Sequence, residues 1–265
     1  MRNKLKDELA VCGMNAALAV AEYHPQSINR LFLREERLKS FTGVCKQLAE
    51  RKRPYKICED DELERLCKSV HHQGVVAMIE EPIIEPLSLE DLALWTEEGK
   101  TGVVLHSIGN DHNLGAIARA AAFFDVSFIV LNEKDSSFES GEVRLTTSAY
   151  RVAEGGLEHV MVRSVSSTTA FLKDASKQMI TIGTDIRARM RISDLKDIVK
   201  NSKVKTVKKG ARPGIALTLG NEETGLPEAV KNQCSHILRI PGTGSIESLN
   251  VSQAAALFLH AIYEL

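Results

Sequence analysis

Four short apolar runs, Gly102–Leu105, Val126–Leu131, Met179–Gly183 and Ile215–Leu219, constrain the fold of this 265-residue chain more than any other feature. Each is apolar apart from at most one hydroxyl residue (Ser127, Thr181 or Thr218), without the charged or amide residues of a solvent-facing side. A strand buried on one face alternates apolar and polar residues, whereas one buried on both faces does not. Between and after these runs, Leu114–Phe124, Ser166–Ser176 and Val251–Tyr263 carry helical spacing. Continuous strands alternating with helices imply a parallel sheet covered on both sides. None of the runs approaches the roughly 18 residues that a membrane-spanning helix needs.

The first 80 residues repeat the theme on a smaller scale. The spacing predicts a helix over Leu5–Val20 closed by Pro25, a strand at Ile28–Leu33, and a helix over Leu38–Arg51 ended by Pro54. A short strand at Tyr55–Cys58, an acid-started helix at Asp60–Lys68 and a buried strand at Val75–Ile79 follow. The expectation is a small α/β sandwich over residues 1–80. The next stretch, with Pro82 and Pro86 and no clear period, reads as a semi-rigid linker over residues 81–98. A larger α/β domain is then expected over residues 99–265.

The net charge of −1 does not announce a polyanion binder. One window does: Arg187–Arg212 holds ten Lys or Arg against Asp194 and Asp197. Lys205, Lys208 and Lys209 within it are candidate phosphate contacts. The five cysteines form no CxxC pair and no spacing typical of zinc, so no metal site is expected. Their odd number, with no signal-like apolar stretch at the start, points to reduced thiols in the cytoplasm. The nicotinamide fingerprint G-x-G-x-x-G after a strand and the P-loop G-x-x-x-x-G-K-[ST] are both missing.

Three motifs bear chemistry. Asn113-Leu-Gly-Ala-Ile-Ala-Arg119 is a polar turn entering an Ala-rich helix, with Asn113 a favoured cap and Arg119 about one and a half turns on. In Leu217-Thr-Leu-Gly-Asn-Glu-Glu-Thr-Gly-Leu-Pro227 a buried strand stops at Gly220, where an open α/β sheet binds ligands. There a glycine leaves room for a ligand against bare backbone, and Glu222 supplies a carboxylate. Ile240-Pro-Gly-Thr-Gly-Ser-Ile-Glu-Ser-Leu-Asn-Val-Ser252 delivers Ser248 and Asn250 to the start of the last helix, whose unpaired N–H groups suit ligand oxygens. Taken singly, each motif also reads as a cap or a solvated turn.

Together, in this order, the three resemble the signatures of the SpoU (TrmH-like) RNA 2′-O-ribose methyltransferases: N-x-G-x-x-x-R, G-x-E-x-x-G-[LM] and I-P-x-x-G-x-x-x-S-L-N-V-S. Gly13-Met-Asn-Ala and His72-Gln-Gly-Val-Val-Ala resemble the two ends of that family's RNA-substrate domain, so the likeness runs from about Cys12 onward. One departure is Gly242, where many relatives have Met.

The resemblance implies a parallel-sheet domain tied in a trefoil knot, an exception to ordinary topology. It also implies bound S-adenosylmethionine, a homodimer with a composite site, and a tRNA or rRNA substrate. Leu219, Gly220, Ile240, Leu249 and Asn250 would border the cofactor; Asn15 and His72 would meet RNA. Arg119 would act on the ribose hydroxyl, as a proton acceptor or as a stabiliser of the developing oxyanion. The first role is awkward, because a guanidinium keeps its proton to above about pH 12. Asn113, Ser248 and Asn250 would orient Arg119, the ribose or the loop, and Glu222 would fix the second motif. The alternative is a catalytically inactive RNA-binding or ribosome-assembly protein that retains the fold.

Overall fold

The computed structural model describes residues 2–3, 8–133, 143–204 and 212–265; Lys205, Lys208 and Lys209 lie outside them. The chain forms two compact units: Met1–Ile83 with Arg144–His159, and Ile84–Val143 with Val160–Leu265.

The first unit is built on strands β1 (Arg2–Asn3), β2 (Glu8–Cys12), β3 (Ile28–Leu33), β4 (Tyr55–Ile57) and β5 (Val75–Glu80), ordered β1-β2-β5-β3-β4. Its helices are α1 (Met14–Tyr23), α2 (Thr42–Glu50), α3 (Asp60–Cys67) and, later in the chain, α6 (Thr147–Ala153). Leu63 and Cys67 of α3 pack on Ala10, Cys12, Val76 and Met78, which share one face of the sheet. β2 is buried along all five residues, because α1 and α6 cover its other face. This is the expected small sandwich, with two differences: α6 joins it from beyond residue 80, and its first element is not a single helix. Where the spacing over Leu5–Val20 predicts a single helix, the structure has β2, a turn at Gly13 with φ +98°, and α1 from Met14. Pairing with β5, from Glu8 opposite Glu80 to Cys12 opposite Val76, overrides the helical preference of Leu and Ala. The carboxylate of Glu8 is satisfied in the sheet by Arg30.

The second unit is the expected parallel sheet. Its strands are β6 (Thr101–Leu105), β7 (Phe128–Asn132), β8 (Met161–Val165), β9 (Ile180–Thr184), β10 (Met190–Arg191), β11 (Ile215–Leu219) and β12 (His236–Arg239). They are ordered β10-β12-β9-β11-β6-β7-β8, and every neighbouring pair is parallel. The remaining helices are α4 (Leu89–Glu97), α5 (Asp111–Phe123), α7 (Thr168–Ala175), α8 (Leu195–Lys200), α9 (Glu228–Lys231) and α10 (Val251–Tyr263). β6 and β11 are buried at all five positions, as two-sided coverage requires.

Helix α4 lies within residues 81–98. Ser88 and Asp91 form a capping box at its start. Its Trp95 is fully buried, stacks on Phe128 with ring centroids 5.0 Å apart, and donates Nε1–H to the Ile215 carbonyl at 3.0 Å. A Cβ at Gly102 would collide with the Trp95 ring, so that glycine makes room for it. Among the described residues no helix is long and apolar enough to cross a membrane, and all five cysteines are free thiols.

Candidate active site

In a parallel sheet all strands end on one edge, and the order here sets β11, late in sequence, between β6 and β9. Leu105 of β6 pairs with Leu219 of β11, so the loops carrying the first two motifs leave the sheet side by side. The His106 N–H donates to the Leu219 carbonyl at 2.9 Å, and Asn221 Nδ2 donates to the Ser107 carbonyl at 3.0 Å. Asn221 Oδ1 accepts from the N–H groups of Glu223 (2.9 Å) and Thr224 (3.2 Å), which closes the second motif into a tight loop. Gly225, at φ +68°, completes it by donating to the Asn221 carbonyl.

Three motif side chains meet over this edge. Asn113 donates its amide to Glu222 Oε1 and accepts from Asn250 Nδ2 at 3.1 Å. Asn250 Oδ1 in turn accepts the N–H (2.9 Å) and the hydroxyl (2.6 Å) of Ser252. Glu222 is acceptor-only when ionised and each amide is donor and acceptor, so the chain of partners has one consistent direction. Asn113 is only 7% exposed, whereas Glu222 and Asn250 are exposed. The third motif thus leaves β12, beyond β9, and reaches α5 at the end of β6.

Several sequence expectations take a different form. The cap of α5 is Asn110, whose side chain accepts from the His112 N–H at 2.9 Å; Asn113 lies inside the helix. Gly220 does not leave room for a ligand: a Cβ there would lie 2.5–2.6 Å from the backbone of Gly225 and Leu226. The glycine is needed because the loop folds back onto the strand end. Gly242 is under no such demand, since a Cβ there would meet nothing within 4 Å. His72 is buried; its Nδ1 accepts from the Gly74 N–H at 3.1 Å and its carbonyl accepts from Gly13 and Val75. It holds a turn and offers no surface to RNA. Asn15 is exposed at the start of α1.

Ser248 and Leu249 are exposed in the third-motif loop, and Leu219 is buried, so Leu219 can offer a ligand only its backbone. Ile240 is half-buried, and Leu249 and Ile246 stand uncovered in a polar loop. Sequence reasoning passed over Ser252 and His106. Ser252 closes its motif string, and that position is its only signal. His106 follows β6, and its Nδ1 lies 3.2 Å from the Thr168 hydroxyl.

Arg119 is exposed on α5. Six residues of helix put it about 120° around the axis from Asn113. One turn further, on the same face, Phe123 is 80% exposed. α5 packs on α10, which leaves Leu257 and Tyr263 uncovered as well. The arginine therefore stands on the exposed side of α5, one turn from an uncovered Phe123.

The model of the SpoU rRNA Methylase family matches residues 100–260 of the chain. A second model, for RNA 2′-O ribose methyltransferase substrate binding, matches residues 10–84. The chain is 30% identical over 251 residues to the 23S rRNA (guanosine-2′-O-)-methyltransferase RlmB of Nitrosomonas europaea, covering 94% of this chain and 88% of that one. It superposes on an AdoMet-bound rRNA methyltransferase from Sinorhizobium meliloti with a TM-score of 0.73 at 19% identity, covering 97% and 87% of the two chains. For the SpoU methyltransferase AviRb of Streptomyces viridochromogenes, solved with AdoMet, the TM-score is 0.68 at 20% identity, with 97% and 90% covered. The fold is that of the SpoU methyltransferases, the knotted α/β architecture that the three motifs imply.

Proposed function

The chain belongs to the SpoU rRNA Methylase family, and from that premise we propose that it methylates a ribose 2′-hydroxyl of ribosomal or transfer RNA, using S-adenosylmethionine and working as a homodimer in the cytoplasm. The observation that carries this reading is the Asn113–Glu222–Asn250 network, which ties all three motifs together at the carboxyl edge of the sheet.

Ile240, Leu249 and the backbone of Leu219 and Gly220 are the groups that would hold the cofactor, with Asn250 anchoring the loop. When bound, S-adenosylmethionine supplies an electrophilic methyl group that needs no metal and no covalent bond to the protein. The protein must hold the ribose, exclude water and stabilise charge as the hydroxyl loses its proton. Arg119 suits the last of these roles, because its fork offers five N–H donors and no acceptor to a developing oxyanion and an adjacent phosphate. Asn113, Glu222, Ser248 and Asn250 fix the loops around it.

The homodimer reading rests on the exposure of Arg119 and, one turn along α5, of Phe123, with Leu257 and Tyr263 also uncovered on the neighbouring α10. Exposed apolar patches of this kind mark protein interfaces, and a two-fold contact would bring each Arg119 to its partner's cofactor edge. Residues 10–84 serve as the RNA-substrate domain, with Asn15 at its surface. Lys205, Lys208 and Lys209 add phosphate contacts. The reduced state of the thiols suits a cytoplasmic setting.

The test is direct. The purified protein should bind S-adenosylmethionine in calorimetry without added metal, and should transfer labelled methyl groups to RNA from cells lacking the protein. RNA already modified should accept none. Binding of RNA with no methyl transfer would instead favour the inactive assembly-factor reading.

A further inference from the structure

Unit one has a concavity of about 220 Å³ where three chain segments meet: residues 13–16 at the start of α1, 71–73 before β5, and 151–154 at the end of α6. Its chemistry comes from Asn15, His71, Gln73, Arg151 and Glu154. Each segment turns there through left-handed backbone: Gly13 at φ +98°, Gln73 at +52° and Glu154 at +46°. Gln73 and Glu154 are not glycines, and such strain persists where the surroundings dictate it, commonly at ligand sites. The site is also held in shape. Gln73 Oε1 accepts the Met14 N–H at 2.7 Å, Arg37 Nε donates to the Gln73 carbonyl at 3.1 Å, and Asn15 Nδ2 donates to Glu154 Oε2 at 3.2 Å.

We propose that this concavity receives one unstacked guanine base of RNA. The proposal rests on the RNA-methyltransferase reading above and adds where the substrate domain reads sequence. Single-stranded bases are recognised by hydrogen bonds to their splayed-out edges and by stacking on His rings or Arg planes, and the concavity offers both. Its volume of about 220 Å³ is on the scale of a single base. Glu154 is a carboxylate with two acceptor oxygens, and only guanine presents two adjacent donors, N1–H and N2–H, on one edge. On its other side guanine carries two acceptors, O6 and N7, the pair that arginine reads bidentately. Arg151, in the last turn of α6, and Glu154, its left-handed cap, both line the concavity, so donor fork and acceptor face one space. A water-filled polar dimple also fits the lining, but it requires no such pairing of donor fork and acceptor.

The test uses the full-length protein and short single-stranded uridine oligomers, each with one central guanosine, inosine or adenosine, followed by fluorescence anisotropy. Inosine lacks only the N2 amine. The guanosine oligomer is expected to bind about tenfold tighter than the inosine one, the cost of one hydrogen bond to a charged group. Glu154→Gln, a conservative change at an exposed residue, should bring the two within about twofold. Arg151→Met should weaken the guanosine oligomer most. Equal binding of the three oligomers, or an undiminished guanosine preference in Glu154→Gln, overturns the proposal. Methyl transfer to RNA is measured in parallel. Transfer without a guanosine preference removes only the base pocket, and no transfer removes the enzymatic reading instead.

Discussion

Asn113 donates its amide to Glu222 and accepts from Asn250, two exposed partners that water can reach when it is truncated. Asn113→Ala should therefore cost only about 1 kcal/mol of stability, the net worth of ordinary hydrogen bonds, and should loosen the third-motif loop. Thermal melting and cofactor calorimetry on the variant check this. Arg119 behaves differently, because it stands on the outer face of α5. On the role proposed for it in the transition state, Arg119→Ala should lower methyl transfer at least a hundredfold while leaving cofactor affinity within about tenfold. Equal loss of both in single-turnover assays would make Arg119 structural. At this scale the meeting of Asn113, Glu222 and Asn250 is legible in the sequence, because the three motifs that hold them stand at strand ends and a helix start. Gly220 and His72 are not. Whether a glycine leaves room or fills with backbone, and which of two adjacent histidines is buried, depends on contacts with Leu226, Gly74 and Val75 that the local sequence does not encode.

Helix α4 shows why whole elements can be misread. The two prolines and scattered glutamates ahead of it suppress any helical period, yet one residue, Trp95, commits it to the core by stacking on Phe128 and bonding the Ile215 carbonyl. Trp95→Ala should cost about 3–5 kcal/mol, as large aromatic deletions in cores do, and denaturant melts would read it directly. β2 is equally hidden, because Glu-Leu-Ala-Val-Cys suits a helix as well as a strand until β5 pairs with it. The strands β6, β9 and β11 are legible, since continuous apolar runs have few other uses in a soluble α/β chain. The cap of α4 makes a pH prediction. Partial burial pushes the Asp91 carboxyl up, but the Arg163 guanidinium and the Ser88 N–H outweigh it and hold the group below its ordinary value of 3.8. A depressed folded value means the stabilisation is full above the unfolded value and is lost as pH falls through the folded one. Melting temperature should thus drop on acidification below about pH 4, and Asp91→Asn should flatten that part of the profile. An unchanged acid limb would show that the pair contributes nothing net.

At the scale of the whole molecule, two associations are open to test. The first is the homodimer proposed above: if it forms, Phe123→Asp, on the outer face beside Arg119, should leave a monomer in light scattering at micromolar concentration and abolish methyl transfer. Cofactor calorimetry should still show binding if the fold of each protomer is intact. A monomeric parent with full activity would refute the composite site. The second association lies within the chain. Residues 144–159 fall inside the stretch that matches the methylase model, yet they pack with residues 8–83, where α6 covers β2. Ala149, Tyr150, Ala153 and Leu157 are buried there. Removing everything before Leu87 would expose those four side chains together. At roughly 25 cal/mol per Å² of apolar surface, that is several kcal/mol returned to water, comparable with the net stability of a domain. A chain beginning at Leu87 should therefore aggregate, or melt well below the full-length protein, although the entire parallel sheet is present. Adding residues 1–86 back as a separate polypeptide should restore solubility, with Tyr150 again shielded from solvent in fluorescence quenching. If the shortened chain is monodisperse and melts as cooperatively as the parent, then α6 belongs to the methylase half by energy as well as by sequence, and the two compact units are divided where the family models divide them.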